Sequence, residues 1–233
     1  MKVLRLLVGA SLALLVTARA DLTIVQKVEG SQGLHEIKMK VKGDHARVEI
    51  NPQMTTIIDA RTGEVTNLMN ENKMFIRISG ESAKAIADAA KSLVKQEGVQ
   101  PATPTATGKK QTINGYETTE YVSDSPSFHA SYWVATSYPD YQKILEQMAI
   151  LQKGAFAGIM KDVPNYHGLP GLPLRTEVKI SGNPAVTSTI ESVNQTPLPD
   201  SDFSVPAGFS EVKVPDAVRN LQAPSRPPKQ TNP

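Results

Sequence analysis

Alternation of apolar and polar residues with a period of two constrains this chain more than any other feature. In residues 34–42, Ile37, Met39 and Val41 share one side of an extended chain, and the residues between them are lysines. Such alternation is typical of a strand with one buried face, because successive side chains of a strand point to opposite faces. The chain is therefore expected to build a sheet with an apolar face.

Turn residues separate similar segments at short intervals along the chain. Met74, Ile76 and Ile78 share one side of a further strand, and Asn114-Gly115 is the strongest hairpin signal, so strands should flank it on both sides. These short spacings favour an antiparallel meander. The strands are predicted at residues 34–42, 46–50, 54–59, 64–69, 73–79, 116–122, 128–135, 174–180 and 186–193.

Two segments follow the period of a helix instead. Residues 82–97 repeat apolar side chains at helical spacing, and Gly98 stands where a helix C-cap would. A second helix is predicted after a capping-box-like start at residues 137–140, with an apolar stripe of Ile144, Met148 and Leu151.

Segments without periodicity divide these elements. Residues 99–110 and 154–173 contain prolines and show no alternation, so an exposed loop and an irregular segment are predicted there. Residues 215–233 carry five prolines and little apolar content, which predicts a disordered tail after a single domain at residues 21–214.

The first 20 residues have the three parts of a secretory signal peptide. Lys2 and Arg5 supply the positive start, residues 6–16 the apolar core, and residues 18–20 the small-x-small cleavage signal. The alternative is a membrane anchor, but about 11 apolar residues cover only about half of the roughly 20 that a spanning helix needs. We expect export to the periplasm or the medium, and a mature protein that does not span the membrane.

Processing is predicted between Ala20 and Asp21. Amino-terminal sequencing of the exported form should therefore begin at Asp21. A sequence beginning at Met1 would show that the segment is retained.

Composition excludes several classes of site. The signal segment holds three of the 25 basic residues, so the remaining 22 face 23 acidic ones, and no basic surface for nucleic acid is indicated. The chain has no cysteine, which excludes disulfides and thiolate metal sites. With 233 residues, a single apolar core can hold the domain together.

The patterns of common catalytic and metal sites are not found. His35, His45, His129 and His167 are scattered, so no metal site is predicted. Ser131 lies near His129, but no Gly-x-Ser-x-Gly elbow and no glycine-rich phosphate loop occur. We expect neither an enzyme nor a cofactor.

Three stretches carry a family resemblance. Residues 113–121 with the strand at Tyr132-Trp133-Val134-Ala135, residues 171–178 and residues 198–209 resemble the LolA/LolB-like lipoprotein-carrier superfamily, and more closely a bacterial branch known only as a domain of unknown function. The resemblance implies a mainly β (α+β) fold, an incomplete antiparallel β-barrel or half-barrel covered by two or three helices. It also implies an apolar cavity suited to acyl chains.

The function implied by the resemblance is that of a monomeric carrier in the bacterial envelope that binds a lipid or a lipoprotein acyl chain. The alternative is a non-catalytic structural or protein-interaction module, because methionine fills ordinary cores as well as ligand sites. If the sheet curls as the resemblance implies, the cavity is expected to be lined by Ile37, Met39, Val41, Met74, Ile76, Ile78, Ile144, Met148 and Leu151.

Overall fold

The computed structural model describes residues 21–31, 33–93, 103–125, 128–152, 166, 168–180 and 184–213. The predicted signal peptide, the predicted tail and most of the segment predicted to be irregular lie outside these ranges. Their assignments stay predictions, as does the division into domains.

The described part of the chain forms one open sheet of twelve strands, in the order β12-β6-β5-β4-β3-β2-β1-β11-β10-β9-β8-β7. All neighbouring strands are antiparallel except β12, which pairs with β6 in parallel. The mainly β fold class with covering helices is thus confirmed. The strands are β1 (Leu22–Gly30), β2 (Gly33–Lys42), β3 (His45–Asn51), β4 (Met54–Asp59), β5 (Glu64–Met69), β6 (Met74–Ile78), β7 (Thr105–Ile113), β8 (Tyr116–Ser125), β9 (Phe128–Ala135), β10 (Leu172–Ile180), β11 (Val186–Asn194) and β12 (Ser210–Glu211).

Two helices accompany the sheet within the described ranges. α1 (Gly80–Leu93) begins two residues before the predicted start, because the Ser79 hydroxyl accepts a hydrogen bond from the Ser82 backbone N–H and acts as N-cap. α2 (Tyr141–Met148) continues into a 3-10 turn at Ala149–Gln152. None of the described helices is long and apolar enough to cross a membrane.

The predicted capping box of α2 is wrong. Asp140 occupies the N-cap position with φ 51°, in the left-handed region, and its side chain makes no capping hydrogen bond. The left-handed backbone conformation of Asp140, rather than a side-chain cap, therefore sets the start of α2 after the turn at Pro139.

The exposed loop predicted at 99–110 is wrong over its last six residues, which belong to β7. This strand is one arm of the hairpin at Asn114-Gly115, where both residues have positive φ. Its residues 105–110 are all exposed and a bulge interrupts the pairing with β8, so no alternation marks the strand. Gly154–Pro173 was also predicted to be irregular, but β10 includes its last two residues.

The chain after β11 crosses one face of the sheet and contacts strands that are distant from it in sequence. We call residues 198–212 the C-terminal clasp. Lys40 Nζ lies 2.9 Å from Asp202 Oδ2, and Lys42 Nζ donates to the Leu198 carbonyl oxygen at 2.6 Å. Asp21 Oδ2 accepts a hydrogen bond from the Leu198 backbone N–H at 2.6 Å. The clasp thus bridges β2 and the start of the described chain.

Beyond these polar contacts, the clasp packs on an apolar cluster. Ile57, Leu68 and Phe75 are buried on β4, β5 and β6, and Val205 and Phe209 pack against them. The clasp then ends as β12 on β6, where the Ser210 backbone N–H donates to the Lys73 carbonyl oxygen at 2.9 Å. The clasp thus pairs with the edge strand β6, which would otherwise be open, and covers one face of β4, β5 and β6.

Candidate functional site

The register of β1 to β6 stacks side chains into three rows on the face opposite the clasp, because directly opposed residues of antiparallel strands project to the same side. We call this the apolar face. The inner row contains Leu22, Val41, Ala46, Ile58, Val65 and Ile78. The middle row contains Ile24, Met39, Val48, Thr56, Asn67 and Ile76. The methionine row contains Met54, Met69 and Met74.

Burial decreases across the apolar face, from the inner row to the methionine row. Leu22 and Ala46 are fully buried and Ile58 is 2% exposed, whereas Ile76 is half-buried and Met54 is 44% exposed. The apolar face is therefore closed along the inner row from Leu22 to Val65, and it is half-open at Ile78 and along the methionine row.

α2 covers the closed part of the apolar face. Ile144 and Met148 of the predicted stripe are buried and belong to the same apolar cluster as Met39 and Val41. The structure thus brings four of the nine predicted cavity residues together in one buried cluster. The cluster contains Leu22, Ile24, Met39, Val41, Ala46, Ile58, Ile113, Ala135, Ile144, Met148, Ile150, Leu172, Leu174 and Ile190.

The other predicted cavity residues are placed differently. Ile37, Met74, Ile76 and Ile78 lie on the apolar face and are half-buried, but they are not members of the cluster under α2. α1 packs instead against β5, the neighbour of β6 in the sheet. The side chain of Leu151 lies outside the described part of the chain. Whether these nine residues line one cavity therefore stays a prediction.

Aromatic side chains surround the cluster under α2. Trp133 and Tyr141 pack against the cluster, and the Tyr116 and Tyr138 rings lie 4.7 Å apart. Burial raises the pKa of Tyr138 above its ordinary value. Periodicity could not have found these contacts, because they join the β7–β8 hairpin to the turn before α2. The Asn114 side-chain amide also donates to the Ile190 carbonyl oxygen at 2.5 Å, which joins the same hairpin to β11.

A buried carboxylate lies at the other end of the sheet. Glu120 on β8 is 7% exposed, and its oxygens accept hydrogen bonds from Thr107 Oγ1 at 2.7 Å and Ser131 Oγ at 3.1 Å. Lys109 Nζ lies 3.1 Å away. Burial by itself raises the pKa of Glu120, but these hydrogen bonds and the lysine charge hold the pKa below its ordinary value. Glu120 and its three partners thus join the bulge of β7 to β8 and β9.

Replacing Glu120 with glutamine should lower stability in a pH-dependent way. The native pKa is depressed, so the carboxylate stabilises the fold above the unfolded value of about 4.3 and loses this effect as pH falls through the native pKa. We expect a loss of about 1 to 3 kcal/mol at pH 6, because a charged hydrogen-bonding partner is removed. Urea unfolding at pH 6 and pH 3 measures it.

The exposed Glu117 of the same strand, changed to glutamine, is the control and should cost little, because its ion pair with Lys110 is solvated. An equal loss for Glu120→Gln at both pH values would show that its carboxylate charge contributes nothing.

The residues examined for hydrolase chemistry do not form a common site. His129 Nδ1 is 2.5 Å from Asp124 Oδ1 at the exposed end of the β8–β9 hairpin, whereas Ser131 donates to Glu120. In the described residues no three His, Asp or Glu side chains come close enough to hold a metal ion. The expectations of no enzyme and no metal stay predictions.

The fold and this site define a class: an open, mainly antiparallel β-sheet protein with an apolar face partly covered by helices. The chain belongs to the family described as Domain of unknown function (DUF4412), whose model matches residues 20–209. The expected family, one known only as a domain of unknown function, is confirmed. A search of curated proteins finds no match.

Solved structures give distant likenesses. PNGF-II matches with 16% identity and a TM-score of 0.38 over 84% of this chain, which spans only 32% of the PNGF-II chain. A DUF1329 family protein from Desulfovibrio piger matches with 10% identity, a TM-score of 0.34 and coverage of 81% of this chain and 91% of its own. A LolA superfamily protein from Nitrosomonas europaea has 9% identity, a TM-score of 0.29 and coverage of 79% and 89%. The superfamily expected from the sequence is thus among these likenesses, which at such scores say nothing about function.

Proposed function

We propose that this chain is an exported, non-enzymatic protein of the bacterial envelope that binds one apolar ligand, such as a lipid or a lipoprotein acyl chain, on the half-open part of its apolar face. The observation that supports this most is the gradient of burial from the inner row to the methionine row. The half-buried Ile37 and Ile76 would contact the ligand beside Met69 and Met74.

The chemistry of this surface suits an acyl chain. Its side chains are aliphatic or thioether around one polar group, the half-buried Asn67, which accepts a hydrogen bond from Thr56 Oγ1 at 2.8 Å. Methionine adapts to ligands of irregular shape because its side chain is unbranched and polarisable. Each methylene of an acyl chain that leaves water contributes about 0.8 kcal/mol. Several methylenes would give useful affinity without a charged group in the site. The sequence resemblance to lipoprotein carriers points the same way.

Titration of the mature protein with a fluorescent fatty acid should show saturable binding. Ile76→Gln should raise the Kd by about tenfold, because a lost apolar contact of about 1.4 kcal/mol changes affinity by that factor. Leu34→Gln is the matched control, since Leu34 is an aliphatic residue of the same sheet that is 65% exposed at the far end of β2. Thermal unfolding of both variants checks that they fold.

If Ile76→Gln leaves saturable binding unchanged, the ligand binds elsewhere on the molecule. No binding by the unaltered protein, together with no lipid in native mass spectrometry of protein purified from its host, would contradict the proposal.

The second candidate is a structural or interaction module of the envelope. One observation favours it: Met39, Val41, Ile144 and Met148 are buried in one apolar cluster, as the residues of an ordinary core are. Met39→Trp separates the two candidates. In a filled core it should destabilise by about 1 to 3 kcal/mol, whereas in an underfilled cavity it should block probe binding at little cost in stability.

A further inference from the structure

We propose that Met54, Met69 and Met74 form a binding site for one Cu(I) ion through their three thioether sulfurs. The three residues are direct neighbours in register, with Met54 opposite Met69 and Met69 opposite Met74. Their side chains therefore leave the sheet from the same face, side by side on β4, β5 and β6.

The spacing of the strands lets all three sulfurs reach one ion. Neighbouring strands lie about 4.8 Å apart, and Cβ atoms of directly opposed residues are about 4.5 to 5.5 Å apart. Met69 occupies the centre, so Met54 and Met74 need only lean inward from either side. Methionine has three rotatable side-chain bonds, which permit this adjustment without movement of the backbone.

The backbone that carries the methionine row is held in place on every side. Asn51 Oδ1 accepts a hydrogen bond from the Met54 backbone N–H at 2.8 Å, and the Asn70 backbone N–H donates to the Gln53 carbonyl oxygen at 2.8 Å. β12 pairs with β6 at Met74. The backbone positions of the three methionines are thus fixed relative to one another before any ion binds, which leaves only their side chains to be ordered on binding.

Exposure and ligand type select the ion. Met54 is 44% exposed and the other two are half-buried, so an ion can reach the row from solvent. Thioethers are soft ligands, which favour Cu(I) over hard cations such as Mg²⁺ or Ca²⁺. The chain contains no cysteine, so no thiolate competes for the ion. Thioether sites of this kind need neither cysteine nor clustered histidines.

The test is a competition for Cu(I) between the full mature protein and a chromogenic bicinchoninate or bathocuproine chelator, with ascorbate present. The unaltered protein should withdraw one Cu(I) per chain. Met69→Leu should weaken binding at least tenfold, and Met54→Leu should also weaken it. Leucine conserves volume, so both variants should keep their Tm within a few degrees. Met148→Leu, in the buried cluster under α2, is the control and should bind as the unaltered protein does.

The pH dependence adds an independent readout. Thioethers carry no proton in water, whereas histidine and thiolate ligands must lose one before they bind a metal. After correction for the chelator, the Kd should change by less than about threefold between pH 5 and pH 7. The proposed site would be contradicted by a marked loss of affinity at pH 5. Equal binding by Met69→Leu, or no withdrawal of copper by the unaltered protein, would also contradict it.

This site does not depend on acyl-chain binding. Ile76 supplies no sulfur ligand, so the Ile76→Gln variant, with its weakened fatty-acid binding, should still withdraw one Cu(I) per chain. Failure of one proposal would therefore leave the other standing.

Discussion

Gly171→Ala should destabilise the protein by about 3 kcal/mol, the upper end of the usual range for overpacking. A Cβ at this position would lie 2.3 Å from the Ala135 carbonyl oxygen, 2.6 Å from the Ala135 carbonyl carbon and 2.7 Å from the Thr136 Cα. These are backbone atoms, so no side-chain rotation relieves the clash. The main chain entering β10 would have to move away from the end of β9. This would also shift Leu172, which belongs to the cluster under α2.

Thermal unfolding measures this effect as a fall in Tm of roughly 6 to 12 °C, at about 2 to 4 °C per kcal/mol. Gly30→Ala is the matched control, because a Cβ there would meet Val186 Cγ2 at 3.5 Å, an ordinary van der Waals distance. A Tm within about 2 °C of the control would mean that β10 shifts freely, contrary to the close approach at Gly171.

Alternation and turn residues predicted the early strands well, because both are local signals: β2 alternates along its length, and short turns bound β4 and β5. The ranges predicted for β4 and β5, residues 54–59 and 64–69, agree with the structure. The shared side of Ile37, Met39 and Val41 follows from the same parity. The strand ranges and the shared side of these residues depend only on neighbouring residues, so they can be predicted from the sequence.

The Asn114-Gly115 turn predicted a strand before it, but alternation could show neither the extent of β7 nor the clasp. Residues 105–110 form an exposed edge with a bulge, so neither side of the strand is marked by apolar residues. β12 has two residues and exists because the chain returns to β6. Both depend on pairing with distant strands, which the alternation of a single segment does not encode.

The candidate site was predicted in part for the same reason. Parity placed Met74, Ile76 and Ile78 on one side of β6, but it could not say which helix lies above them. The structure places α2 over β2 and β10 and α1 against β5. The alignment of Met54, Met69 and Met74 into one row is a matter of register, which is fixed by the turns between the strands.

Leu68→Ala should destabilise the protein by about 2 to 5 kcal/mol, because Leu68 is fully buried and its truncation leaves a cavity under the clasp. The clasp crosses three strands at this point, and Phe75 and Phe209 are held against Leu68 by the parallel pairing of β12. Urea unfolding measures the loss. Leu34→Ala, at a position 65% exposed, should change stability by no more than about 0.5 kcal/mol.

A double-mutant cycle with Phe209→Ala then shows whether the clasp is part of the cooperative fold. If Phe209 packs on Leu68 in solution, the two losses should not add, and the coupling should be about 0.5 to 3 kcal/mol. Additive losses would mean that the clasp leaves the sheet without affecting Leu68. In that case the salt bridge of Lys40 to Asp202 would be a surface contact of little consequence, and β6 would present an open edge for pairing with other chains.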